Sequence, residues 1–244
     1  MKILVTGVLG VVGSKLKEVL VERGHHVFGV DLFHTNENYG HGLGKVDNDN
    51  YFRCDISEYR QIEAVIRYVK PDLVYNCAAE FGRWNGEHFY EKVWKSNAIG
   101  TKNIIKLQET DGFKLVHTST SEVYGKAMHY NKTSNGLVED HDLVFGNTSI
   151  RRWAYATSKA LDEFMTLAYY YEKQLPAVIV RFFNTVGPGQ LGDYGMVLPI
   201  FVHKALANDP IPIFGDGSQR RSFTHVDDAS KAIIKLMNKN VLEE

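Results

Sequence analysis

Tyr155 and Lys159, one helical turn apart, carry the most specific chemistry in this 244-residue sequence. They begin a run of helical period, Tyr155-Ala-Thr-Ser-Lys159, so both side chains fall on one face. A free phenol titrates near 10, so only about one tyrosine in a thousand is ionised at neutral pH. A working base there needs a shift of about 3 units, roughly 4 kcal/mol. An ammonium group beside the phenol favours the charged form and supplies part of that shift. The spacing alone is common on solvated helix faces. Here it follows an apolar run that leads into His117-Thr-Ser-Thr-Ser-Glu-Val-Tyr-Gly125, which offers hydroxyls at Ser119, Thr120 and Ser121 and a carboxylate at Glu122. Hydroxyl, phenol and ammonium together suit removal of a proton from an alcohol.

Such a set works only if rigid elements hold it, and the pattern supplies them. Ile3–Val5, His26–Val30, Tyr51–Cys54, Leu73–Ala79, Lys114–Thr118 and Ala177–Phe183 read as strands. Segments of helical period alternate with them: Val12, Leu16, Val19 and Leu20 share one face of the first, which Gly24 stops. Ser57 is placed to cap a second, with Ile62, Val65, Ile66 and Val69 buried and Pro71 beyond its end. Longer helices are expected around 88–109 and 153–174. Near-continuous apolar strands alternating with helices predict an α/β fold, a doubly wound parallel sheet of Rossmann type with its crevice at the strands' carboxyl ends.

After Asn184 the composition changes. Gly187, Pro188, Gly189, Gly192, Gly195 and Pro199 precede a helix expected over 197–208, and short strands are expected at Ile211–Phe214 and Ser222–Val226. The expected division is a Rossmann domain with the catalytic helix over 1–183 and a small, incomplete C-terminal substrate lobe over 184–244.

The first strand runs directly into Gly7-Val-Leu-Gly10-Val-Val-Gly13. Glycines there permit a tight turn and let the backbone approach a pyrophosphate, which the following helix N-terminus attracts. Asp31, about twenty residues on at the end of the second strand, is placed to accept from ribose hydroxyls. With no arginine neighbouring it in sequence, NAD is favoured over NADP. Asp55, ending the third strand, is placed to meet adenine, with Ile56 beside it.

These stretches resemble the extended short-chain dehydrogenases/reductases that modify nucleotide sugars, and the resemblance covers essentially the whole chain. Its carriers are the Gly7/Gly10/Gly13 loop, Ala78-Ala79, Asn97-Ala-Ile-Gly-Thr101, Ser119–Gly125, Tyr155/Lys159, Arg181-Phe-Phe-Asn-Thr-Val-Gly-Pro188 and Gly215-Asp-Gly-Ser-Gln-Arg-Arg-Ser-Phe223. The resemblance implies an NAD-dependent nucleotide-sugar epimerase/dehydratase. In it Tyr155, helped by Thr120, takes the proton of the sugar 4-hydroxyl while C4 gives hydride to bound NAD, with Ala78, Ala79, Tyr155 and Lys159 also binding the cofactor. Asn184 and Arg221 match positions that hold the nucleotide diphosphate, Arg221 by charge-assisted hydrogen bonds. Ile211–Gly217 matches the part that closes over the nucleoside.

Three reactions can follow: decarboxylation of a uronate, 4,6-dehydration, or 4-epimerisation. Glu122, with Ser121 before it, bears on the choice, because a carboxylate there can act at C5 as acid or base. Thr-Ser-Glu is similar to UDP-glucuronate decarboxylases and GDP-mannose 4,6-dehydratases, and Arg152-Trp-Ala-Tyr-Ala-Thr-Ser-Lys159 to bacterial UDP-glucuronate decarboxylases. In Glu80-Phe-Gly-Arg-Trp-Asn-Gly86, Arg83 could bind a uronate carboxylate and Glu80 a sugar hydroxyl, or the two could pair with each other. The rival from another class is an NAD-binding module without turnover.

Composition fits this reading and excludes others. The formal net charge is −1 and 44% of residues are hydrophobic, so nothing draws the chain to nucleic acid or an anionic membrane. The expected partner is a nucleotide-diphosphate sugar, most readily a UDP-sugar. No apolar stretch has the length of a membrane span. The apolar N-terminus is broken by three glycines and followed by an amphipathic pattern, so it reads as strand, turn and helix instead of a signal peptide. Cys54 and Cys77, the only cysteines, read as reduced core thiols of a cytoplasmic protein. No His/Cys group has metal-ligand spacing, so no metal is expected. The resemblance also implies a homodimer through a bundle that includes the helix bearing Tyr155.

Overall fold

The structure, a computed structural model, describes residues 1–33, 49–127, 136–190 and 196–236; the side chains of residues 82 and 83 lie outside that description. Six parallel strands form the central sheet: β1 (Lys2–Thr6), β2 (His26–Asp31), β3 (Tyr51–Arg53), β4 (Leu73–Asn76), β5 (Lys114–Thr120) and β6 (Ala177–Phe182). Their spatial order is β3-β2-β1-β4-β5-β6. The order reverses between β1 and β4, and the crevice of a doubly wound sheet opens at that switch point.

Apolar side chains on both faces of the strands explain why the sheet is covered twice. On one face α1 (Val11–Glu22) buries Leu16, Val19 and Leu20 against Ile3, Val5 and Val27. On the other, α2 (Tyr59–Val69) and α5 (Gly100–Asp111) bury Ile62, Ile66, Ile104 and Ile105 against Leu4, Val30 and Leu115. The long α6 (Trp153–Lys173) lies beside α5 and carries both members of the Tyr/Lys pair near its start. Two short strands, β7 (Asn184–Val186) and β8 (Phe223–His225), pair in parallel away from the main sheet. Between them α7 (Val197–Leu206) is mostly exposed, and α8 (Val226–Lys235) follows β8 directly.

Several expectations change. The fourth strand ends at Asn76, because the Ala78 amide leaves the ladder and donates to Thr6 Oγ1. Ser57 does not cap α2: its hydroxyl and amide both turn back onto Asp55 Oδ1, and the helix starts from an extended Glu58 with no side-chain cap. The helix expected over 88–109 is broken into α3 (Gly82–His88), α4 (Tyr90–Val93), a π-helical turn over Trp94–Ile99, and α5. Residues 211–214 form no strand, and Ile213 and Phe214 are exposed. The segment 226–235, grouped by sequence with the smaller lobe, places Ile233 and Ile234 in the same core as Leu16 and Leu20 of α1.

Candidate active site

A cleft of about 650 Å³ runs along the carboxyl edge of the sheet. The glycine loop forms its floor. Gly7 has a φ of +65°, which disfavours side chains, and a Cβ there would lie 2.8 Å from the backbone of Ala78. A Cβ on Gly13 would stand 2.2 Å from the Gly7 carbonyl oxygen. The loop therefore closes on itself and on the β4 turn only because side chains are absent. Gly10 is exposed at the mouth and its own amide donates to the Gly7 carbonyl at 3.1 Å, so the N-terminus of α1 that follows it is what the loop presents to an anion.

Asp31 ends β2 in the same cleft. Its Oδ2 accepts from the Leu9 amide at 2.9 Å and its Oδ1 from the Leu32 amide at 2.8 Å, which fixes the carboxylate in the cleft. An arginine does neighbour it in space: Arg53 is its register partner on β3, with Nε donating to the Leu32 carbonyl at 3.0 Å. Sequence distance hid that contact. Asp55 and the buried Ile56 line the same cleft, and Ile56 packs where Gly100 leaves no Cβ. Cys77, Ala78, Ala79 and Glu80 line the wall opposite. Burial pushes the Cys77 thiol up to about 12, so it is an unreactive wall group.

The reacting end gathers side chains from β5, the 3₁₀ turn Ser121–Tyr124 and α6. Thr120, Ser121, Glu122, Tyr155 and Lys159 all line it. Thr120 Oγ1 accepts from the Glu122 amide at 3.2 Å and is hydrogen-bonded to the Tyr155 phenol. In the protein alone the phenol is raised above its ordinary value, opposite to what catalysis requires. Burial is the main cause, the Glu122 carboxylate adds to it, the Thr120 hydrogen bond opposes it, and Asp162 adds a further increment. A cationic ring bound beside Tyr155 would act against both burial and those carboxylates. The hydroxyl of Ser119 is not available in the cleft: it donates to Glu163, which also holds Arg181 at 2.7 Å.

Two groups that sequence reading left without roles shape this end. Asn97 sits in the π-helical turn, accepts from the Glu80 amide at 2.9 Å and donates to Ser158 Oγ at 3.0 Å. Ser158 in turn donates to the Tyr155 carbonyl at 2.8 Å, so one buried amide ties the Glu80 loop to the tyrosine helix. A Cβ on Gly86 would come within 3.1 Å of the Tyr155 amide, so α3 packs against the tyrosine through a glycine. Glu80 Oε2 accepts from Asn85 at 3.2 Å, while the Arg83 side chain lies outside the described residues.

Asn184 and Arg221 lie at the far end of the cleft. Asn184 Nδ2 donates to the Ser222 carbonyl at 2.8 Å, next to the β7–β8 pair, and Arg221 is exposed with its guanidinium on the Arg220 carbonyl. Among the described residues, no group of His, Cys, Asp and Glu could hold a metal ion, and no helix is long and apolar enough to cross a membrane.

Comparison with known proteins agrees with this geometry. Residues 3–243 match the family described as "NAD dependent epimerase/dehydratase family". A UDP-N-acetyl-alpha-D-glucosaminuronate decarboxylase of Bacillus cytotoxicus is 36% identical over 239 residues, which is 98% of this chain and 71% of the relative. UDP-glucuronic acid decarboxylase 4 of Arabidopsis thaliana is 32% identical over 97% of this chain and 51% of its own length, so the chain spans about half of that relative. Among solved structures, UDP-glucuronic acid 4-epimerase from Bacillus cereus, in complex with UDP-glucuronic acid and NAD, superposes with a TM-score of 0.83 at 28% identity, over 100% of this chain and 76% of that one.

Proposed function

Because the chain belongs to the NAD-dependent epimerase/dehydratase family, we propose that it is an enzyme that oxidises C4 of a UDP-uronate and releases the C5 carboxylate as carbon dioxide. The cofactor is NAD, and the cleft fits it: a pyrophosphate needs the side-chain-free approach at Gly7, Gly10 and Gly13, and a ribose needs the fixed Asp31 carboxylate. When bound, NAD accepts the C4 hydride and later returns it.

The chain's own residues do the rest. Tyr155 Oη takes the 4-hydroxyl proton through the hydrogen bond that Thr120 shares with it. Lys159 supplies positive charge behind the phenol. Loss of the carboxylate from a 4-keto uronate leaves an electron pair at C5, conjugated to the new carbonyl. Glu122 then donates a proton at C5, which completes the balance before C4 is reduced again. Glu80 and Asn97 hold the sugar side of the wall, and Asn184 and Arg221 grip the diphosphate, so residues 184–225 act as the substrate lobe. Arg83 is assigned to the uronate carboxylate from sequence alone.

The observation that carries this reading is Glu122 beside the Thr120–Tyr155 hydrogen bond. A plain 4-epimerisation returns hydride to the other face of C4 and has no use for a carboxylic acid at C5. The decarboxylases among the relatives support the same choice. A homodimer is part of the proposal: Leu161, Phe164 and Tyr171 form an exposed apolar stripe along α6, with Tyr90 and Trp94 exposed on the preceding segment.

The test mixes the protein with NAD and, separately, UDP-glucuronate, UDP-N-acetylglucosaminuronate, UDP-glucose, GDP-mannose and dTDP-glucose, and weighs the products. A uronate product lighter by carbon dioxide supports the proposal. Loss of water instead, or an isomer of unchanged mass, reassigns the reaction to dehydration or epimerisation. No conversion at all despite NAD binding contradicts turnover.

A further inference from the structure

Behind the reacting end lies a buried polar chain that ends on Lys159 and whose other members the reaction scheme leaves unused: Thr6, Asn76, Thr101, His117, Asp162 and Lys159, each 2% exposed or less. Six polar side chains inside a Rossmann core are costly unless their hydrogen bonds are matched in direction. The matching fixes the protons.

Thr6 Oγ1 accepts from the Ala78 amide at 3.0 Å and sits 2.8 Å from Asn76 Oδ1. Its single proton therefore goes to that oxygen, which orients the Asn76 amide. Thr101 fixes the same amide from the other side. Its hydroxyl oxygen accepts from Asn76 Nδ2 at 3.2 Å. The second hydrogen of Nδ2 then points at His117 Nδ1, 3.2 Å away, and that nitrogen can only be an acceptor. A neutral ring with an acceptor at Nδ1 carries its proton on Nε2. Burial, followed by the charge of Lys159, holds His117 well below its ordinary value, so the ring is neutral. Nε2–H faces Asp162 Oδ2 at 3.6 Å, and Lys159 Nζ lies 3.3 Å from the same oxygen.

We propose that His117 and Asp162 are positioning residues for Lys159: His117, locked as its Nε2–H tautomer by Asn76, turns its Nε2–H toward Asp162, which serves as the buried counter-ion of the Lys159 ammonium. The 3.3 Å approach of His117 Nε2 to Lys159 Nζ is then the contact of two donors converging on one oxygen. The chain also links the catalytic lysine to the dinucleotide loop, since it begins at the Ala78 amide, in contact with Gly7. The proposal rests on Tyr155 and Lys159 being the working pair.

The charged neighbours have opposite effects. Asp162 stabilises the ammonium, yet its own charge hinders ionisation of Tyr155. The other titratable groups packed here are Cys77 after β4, Glu122 in the 3₁₀ turn and Glu163 on α6. Replacing Asp162 by Asn should therefore leave the pair workable at lower pH, where the lysine keeps its proton, and disable it at higher pH. A loss of mere packing would lower the rate equally at every pH.

Two measurements test this. In the NAD-bound parent protein labelled with ¹⁵N-histidine, the tautomer of each of the ten histidines is read by NMR, and His117 is identified by its absence from a His117→Gln sample. The expected result is an Nε2–H ring that stays neutral through the range near pH 6.5 where exposed histidines titrate; an Nδ1–H ring or an imidazolium overturns the proposal. In the second, the pH–rate profile of Asp162→Asn should lose its alkaline side by about 1–3 pH units relative to the parent, with KM for the sugar within about threefold, equivalent to less than 1 kcal/mol. A uniform fall across pH overturns the positioning role. If Asp162→Asn does not fold, the tautomer in the parent decides alone. That readout needs no sugar turnover, so failure of the proposed reaction and failure of this assignment give different results.

Discussion

The two ends of the cleft are built differently. At the dinucleotide and reacting end, every group rests on the buried sheet: Asp31 is held by two amides, Asn97 by three partners, and Lys159 by a buried polar chain. At the far end, Asn184 opens β7 of the two-strand pair and Arg221 lies on an exposed segment before β8, with Ile213 70% and Phe214 78% exposed nearby. Chemistry that transfers hydride and protons needs fixed geometry, whereas gripping a flexible diphosphate needs reach and charge. Substitutions in the packed supports of the first end should damage stability or cofactor binding; those at the second should touch only the substrate.

The largest effect is expected at the brace between sheet and tyrosine helix. Glu163 is almost fully buried and accepts from Ser119 and from Arg181. Glu163→Gln should destabilise the fold by about 3 kcal/mol in urea titrations, because it leaves a half-buried guanidinium without its counter-charge. Next comes Gly13→Val, which forces the loop away from the Gly7 carbonyl. NAD affinity by calorimetry should fall on the order of 100-fold, about 2.7 kcal/mol.

At the other end, Arg221→Ala should raise KM for the UDP-sugar about tenfold, near 1.4 kcal/mol, without changing NAD affinity or the melting temperature. If stability falls with it, the contrast between the two ends is wrong. Phe214→Ser should alter stability by less than about 0.5 kcal/mol, as expected of an exposed loop position. Direction alone distinguishes Glu122→Gln. That carboxylate raises the Tyr155 phenol, so its removal makes ionisation easier, and the acid limb of the C4-oxidation rate should move to lower pH even as decarboxylation slows.

The sheet and the glycine loop were legible because both follow from the local pattern: apolar strands of three to seven residues, then glycines at the first turn, which admits no Cβ at Gly7 or Gly13. The co-location of Thr120, Glu122, Tyr155 and Lys159 was legible for the same reason, since β5 and the start of α6 converge at the carboxyl edge. What stayed hidden depends on contacts distant in sequence. Arg53 meets Asp31 only through strand register, and Asn97, inside a π turn, bonds both to the Glu80 backbone and to Ser158, which lie 17 and 61 residues away. Ser57 looked like a cap, but Asp55 lies nearer than the helix amides it would serve. Thr6 and Asn76 gave one available signal: polar residues inside apolar strands, which a buried network must satisfy.

The central claim is that Tyr155 removes the C4 hydroxyl proton. The most direct measurement compares the parent with Tyr155→Phe in conversion of UDP-glucuronate, with NAD binding measured on both. The account predicts unchanged NAD binding and a fall in kcat of about 10³–10⁴-fold. A Tyr155→Phe protein that turns over the sugar at the parent's rate would contradict it.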